Sequence, residues 1–182
     1  MNNMYHHLTI VTFNPSGGLT DGQITGNGTL GTDGYLMDFG DIKKVVRSLC
    51  KELNEYFICP MKSTDLLITK NEISEQLCLE CEDGTKFSFP LGDCKMLPIW
   101  HSSSEQIAHY FWCMIVRRVG LDALSTRHIT SMEISVLECP AQAAIFRSCI
   151  PSNEEELIVV EEMLSVGYSP MACSSKQYIK DN

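Results

Sequence analysis

The chain has 182 residues, 44% of them hydrophobic, which is the size of one domain able to bury a sizeable core. Fourteen Lys and Arg stand against 23 Asp and Glu, and the resulting net charge of -9 repels phosphate backbones and argues against general nucleic-acid binding. Nine scattered cysteines, an odd number, do not resemble a secreted disulfide framework, and neither a signal peptide nor a long apolar span is visible, so a soluble cytoplasmic protein outside the membrane is expected.

Tyr5 to Phe13 is rich in β-branched and aromatic residues and reads as a strand. From Asn14 to Gly34 the chain holds seven glycines among Asn, Asp, Thr and Ser, a composition that predicts loop. Phe39, Ile42, Val46, Leu49, Leu53 and Phe57 then recur at three- and four-residue steps, the stripe of a first helix. Residues 59–98 read as a β insertion, with strands at Leu66 to Thr69, Gln76 to Cys81 and Lys86 to Phe89. The last two are joined as a hairpin across Glu82-Asp83-Gly84-Thr85.

Ser102-Ser103-Ser104-Glu105 has the spacing of a capping box and predicts a second helix with Ile107, Phe111, Met114 and Ile115 on its apolar side and Gly120 at its end. Ile129 to Cys139 and Ala143 to Ile150 are two further strands, broken by Pro140. Asn153 to Val166 is an acidic amphipathic helix with Leu157, Val160 and Leu164 on one side. The order is β, α, β insertion, α, β, β: an α+β chain. Alternation along the penultimate strand places Met132, Ile134, Val136 and then Glu138 on one face. A carboxylate ending an apolar row is either emerging into water or facing a polar ligand.

Three stretches carry a resemblance. Gly34-Tyr-Leu-Met-Asp-Phe-Gly-Asp-Ile-Lys-Lys44, Ser103-Ser104-Glu105-Gln106-Ile107-Ala108 and Met132 to Pro140 with Glu138 occur in the order of matching motifs in the 6-pyruvoyl-tetrahydropterin synthase family. That family includes the 6-carboxytetrahydropterin synthases, and Pro98 to Ser103 and Arg127-His128-Ile129 resemble its apicomplexan branch. The resemblance implies the tunnelling fold (T-fold): an antiparallel sheet with two helices on one face, assembled as a homo-oligomer, a trimer or hexamer. It divides the chain into a T-fold domain, 1–150, with a glycine-rich loop at 14–34 and a β-hairpin insertion at 59–98, and an acidic C-terminal helical extension, 151–182.

The resemblance also implies a pterin site. Glu138 stands at the family's pterin-anchoring glutamate, where one carboxylate accepts hydrogen bonds from two adjacent N–H donors of the ring. Ser103, Ser104 and Glu105 stand where the family lines the same pocket, and capping is a compatible role for them. The family's zinc is held by three histidines, one on the opening strand and two in a His-Gly-His-Asn-Tyr segment at the start of the next. Overlaying that second strand on Tyr5 to Phe13 puts Asn2-Asn3-Met4 at the histidines and leaves the opening strand, with the catalytic Cys or Glu, without a counterpart. Asn54 and Glu55 occupy the positions of the family's catalytic Asp-His pair, so no catalytic set is intact. His6 and His7 point to opposite faces, His101, His109 and His128 lie on separate elements, and Cys78 and Cys81 lack a second pair, so no zinc is expected on this chain.

Two functions follow from the resemblance. One is a lyase-type pterin synthase of the biopterin or folate branch acting on 7,8-dihydroneopterin triphosphate, by triphosphate elimination or side-chain cleavage, incomplete or impaired as given. The other is a catalytically inactive pterin-binding or partner subunit of the same fold. An unrelated α+β protein is the remaining alternative.

Overall fold

The computed structural model describes residues 6–12, 20–28, 32, 34–139 and 142–163. Two strands precede the first helix: β1, His6–Thr12, and β2, Thr20–Gly28, which pair antiparallel from His6 opposite Gly28 to Thr12 opposite Gly22. β8, Ile129–Cys139, pairs with β2 and with β9, Gln142–Cys149, giving an antiparallel sheet in the order β1-β2-β8-β9. Helix α1, Phe39–Leu53, and α2, Ser104–Val119, share one core with that sheet.

Each helix follows from its cap and its stripe. Asp38 accepts a hydrogen bond from the Gly40 amide at 2.6 Å to start α1. Its Ile42, Val46, Leu49 and Leu53 are all buried. In α2, Ala108, Trp112, Ile115 and Val116 are buried together with Met132, Ile134 and Val136 of β8 and Phe146 of β9. Fully burying one such large side chain is worth about 1.5–3 kcal/mol before ordering costs. Gly120, at φ 88, ends α2 as its spacing predicts, and the short α3, Leu121–Thr126, leads into β8.

Two expectations are corrected. The glycine-rich stretch 14–34 is not all loop, because β2 lies inside it. Glycine disfavours strands, but here Leu36 fills the notch left by missing side chains: an added Cβ at Gly26 would lie 3.8 Å from it and one at Gly28 only 2.9 Å. The chain also has an opening strand. Tyr5 to Phe13 corresponds to β1, the first of two strands ahead of α1, so the start of the second strand falls at Thr20 rather than before Tyr5.

The insertion contains β3, Phe57–Pro60, β4, Leu66–Asn71, β5, Gln76–Cys81, β6, Lys86–Pro90, and β7, Cys94–Leu97. β4-β5-β6 forms a meander with the expected hairpin, while β3 and β7 pair in parallel, which the sequence reading did not foresee. Phe57, read as the end of the helical stripe, belongs to β3 and stacks on Phe89 at 4.2 Å. Cys59, Leu77, Leu79 and Cys94 make a second small core. Helix α4, Glu154–Glu162, starts on the Asn153 cap; the expected continuation to Val166 lies outside the described residues.

Candidate functional site

Three contacts fix which chain ends meet. Trp112 Nε1 donates to the Met132 carbonyl at 2.9 Å, and three residues earlier on α2 the His109 ring stacks on Phe146, which pairs with Ile134. Moving toward the start of α2 therefore moves toward the end of β8, so Ser103, Ser104 and Glu105 lie at the Glu138 end of the sheet. Ser102 Oγ donates to the Ile58 carbonyl at 2.8 Å, which brings β3 to the same corner; Asn54 and Glu55 lie between β3 and Glu52, which pairs with Arg118 in the last turn of α2. The first residue of β2, Thr20, pairs with Leu137. One end of the sheet thus gathers the start of β2, the end of β8 and the start of α2, with β3 beside them.

Register changes at this end. On β8, Leu137 pairs with Ala143 but Cys139 pairs with Gln142, so a bulge falls at Glu138. A second shift lies between Thr20 and Gly22 on β2. The strand pairing is regular through Met132, Ile134 and Val136 and shifts between Leu137 and Cys139. Bulges insert an extra residue and re-aim side chains, and they concentrate beside functional sites.

The start of α2 is built one residue later than the Ser102 capping box predicts. Ser103 is the cap, its Oγ accepting from the Gln106 amide at 3.4 Å, and the Gln106 side-chain oxygen accepts from the Trp100 amide. Gln106 was missed as a structural partner, although Ser103-x-x-Gln106 fits the capping signature as well as Ser102-x-x-Glu105. Glu105 is thereby released from the cap, and its carboxylate receives the Ser104 hydroxyl at 3.5 Å. At the α1 exit Asn54 is the helix cap in extended conformation and Glu55 turns left-handed at φ 63, so both shape the backbone there.

Among the described residues no three histidines come together. His6 and His7 stand opposite Gly28 and Asn27, at the far end of the β1–β2 ladder from the start of β2. His101 and His128 are exposed, while His109 is buried against Phe146 and its Nε2 donates to the Val160 carbonyl at 3.0 Å. Residues 13–19, which lead into β2, contain no histidine. Among the described residues no three His, Cys, Asp or Glu side chains come together. A zinc on three histidines therefore does not fit the residues described. Burial pushes the Cys50, Cys59 and Cys94 thiols up, which favours the unreactive protonated form.

Two grooves among the described residues lie elsewhere. One of about 450 Å³ runs past Asp41, Val45 and Asp122 at the start of α1, and another of about 350 Å³ lies between Met114 and Ile158. No described helix is long and apolar enough to cross a membrane.

Comparisons with known proteins agree with the fold. A family model described as 6-pyruvoyl tetrahydropterin synthase matches residues 21–149. The chain is 29% identical over 113 residues to a putative 6-carboxy-5,6,7,8-tetrahydropterin synthase of Methanocaldococcus jannaschii, a match covering 62% of this chain and 66% of that relative. The solved 6-pyruvoyl tetrahydropterin synthase of Plasmodium falciparum superposes with a TM-score of 0.74 at 30% identity, and that of Plasmodium vivax with 0.73 at 30%. Each covers 81% of this chain and 100% of its own.

Proposed function

The chain belongs to the 6-pyruvoyl tetrahydropterin synthase family, and on that premise we propose that it binds a dihydropterin at the sheet end where β8 finishes and α2 begins, with metal-assisted turnover impaired. What supports the reading is that the end of β8, where the register shifts around Glu138, and the start of α2, with Ser103, Ser104 and Glu105, belong to the same end of the sheet. An ionised carboxylate accepts the 2-amino and ring N–H donors of a pterin as a pair, which fixes orientation, and such charge-assisted bonds are roughly twice as strong as neutral ones. The serine hydroxyls and Glu105 supply further acceptors for the remaining polar edge of the ring.

The substrate class is 7,8-dihydroneopterin triphosphate or its dephosphorylated relatives. Triphosphate elimination or side-chain cleavage needs a group that acidifies the side-chain hydroxyls and a base that takes their protons. Among the described residues no three His, Cys, Asp or Glu side chains come together. Asn54 carries no charge, and Glu55 is an exposed carboxylate. A pterin-binding partner subunit is accordingly favoured over a competent synthase.

The strands at the two margins of the sheet, β1 and β9, each have one unpaired side among the described residues, and assembly as a homo-oligomer would cover them. The test is a titration of the purified chain with 7,8-dihydroneopterin, paired with turnover of its triphosphate in the presence of added zinc. Saturable binding without zinc-dependent turnover supports the reading. Zinc-dependent product formation would overturn the impaired state, and no binding would overturn the pterin site itself.

A further inference from the structure

Helix α4 lies beyond the family match at 21–149, yet it is built into the same core: Leu157 is 1% exposed and belongs to the main apolar cluster. Its partner is α2, which is covered on two sides. One stripe, Ala108, Trp112, Ile115 and Val116, packs in the core with the sheet. Another stripe, His109, Cys113 and Arg117 at four-residue steps, runs along the α4 side. Along it, His109 Nε2 donates to the Val160 carbonyl at 3.0 Å, and Cys113 is 1% exposed. Arg117 donates to Glu154 at 2.7 Å and, through two nitrogens, to both oxygens of Glu161.

We propose that α4 is a latch on α2, with Arg117 and His109 acting as positioning residues for Ser103, Ser104 and Glu105 at the start of the same helix. This rests on the pterin reading of that site. An α-helix is stiff along its axis and rises about 1.5 Å per residue, so a grip at Arg117 sets the position of Ser104 about 20 Å away. The forked guanidinium resists both sliding and rotation, because its two nitrogens meet the two oxygens of Glu161 while a third reaches Glu154 on the preceding turns of α4. The buried imidazole adds a second point of attachment two turns nearer the site. Two fixed points on one stripe define the axial setting of α2 relative to β8.

The test uses the full chain carrying Glu154→Gln and Glu161→Gln together, with Arg117→Lys as a milder second variant. Hydrogen exchange is followed at the Gln106, Ile107 and Ala108 amides, and the Kd for 7,8-dihydroneopterin is measured by fluorescence titration. In the double variant exchange at those amides accelerates about tenfold while β8 amides keep their protection. The Kd rises about fivefold, and Arg117→Lys gives an intermediate value. Exchange changes confined to α4 and residues 113–119, with Kd held within about twofold, would overturn the latch. Should Glu138→Gln also leave Kd unchanged, the pterin reading fails by itself, and the exchange measurement still decides the latch.

Discussion

The indole nitrogen of Trp112 donates to the carbonyl oxygen of Met132 at 2.9 Å, joining the middle of α2 to β8, the strand that carries Glu138. The indole is fully buried, so no water can replace the bond. Trp112→Phe keeps most of the apolar area but leaves that carbonyl without this donor. A loss of about 1–3 kcal/mol is expected in urea unfolding, with a further contribution from the smaller ring. An unchanged unfolding midpoint would mean the bond does not bind helix to sheet.

Gly28 closes β2 where the backbone just ahead of β8 passes closely. A Cβ there would sit 2.6 Å from the His128 carbonyl oxygen and 2.9 Å from Leu36, and the first contact is backbone that cannot step aside cheaply. Gly28→Ala is expected to destabilise by about 1–3 kcal/mol, as overpacked positions do. Gly84→Ala is a useful comparison, because it meets nothing within 4 Å and is strained only by its φ of 82. Thermal unfolding of the two variants separates crowding from backbone strain.

The α1–α2 contact is pH-dependent in a defined direction. Hydrogen bonding from Arg118, at 2.7 and 2.8 Å, holds the Glu52 carboxyl below its ordinary value of 4.5. A carboxyl depressed on folding contributes stability that is fully present above its unfolded value and is lost as pH falls through the folded one. Glu52 is about half exposed, with a side-chain accessibility of 47%, so solvent screening limits the contribution to about 0.2–1 kcal/mol. The stability difference between the natural chain and Glu52→Gln should therefore be present at neutral pH and vanish below the folded value. A difference that persists in acid would show that Glu52 acts by packing.

Much of the fold was legible because its signals are local. The α1 stripe, the β5–β6 hairpin and the Gly120 stop each depend on residues within one turn or one loop. What escaped the sequence depends on partners distant along the chain. β2 is glycine-rich and becomes a strand because Leu36 fills the space over it and β1 and β8 pair with its two sides. The parallel β3–β7 pair joins segments separated by the whole meander. At the site, the residue types were readable, but the bulge at Glu138 is a register event between strands and leaves no mark in a period-two pattern. The capping shift was readable in principle, since Gln106 offers the same chemistry as Glu105 one step along.

Capping and ligand binding at the start of α2 can be told apart. Ser103→Ala removes the side-chain acceptor for the Gln106 amide and should cost about 1 kcal/mol of stability. Glu105→Gln leaves the cap intact, because Glu105 is not its partner. It is expected to weaken dihydropterin binding severalfold while leaving the unfolding midpoint within about 0.5 kcal/mol. Equal loss of stability in both variants would place Glu105 in the cap after all.

The most direct measurement is calorimetric titration of 7,8-dihydroneopterin into the natural chain and into Glu138→Gln, which keeps size and polarity but removes the charge. Loss of a charge-assisted pair worth about 1.5–3 kcal/mol predicts an affinity lower by roughly tenfold to a hundredfold in the variant, with an unchanged unfolding midpoint. Equal affinity in the two proteins, or no heat of binding in either, would contradict a pterin held by the carboxylate at the end of β8.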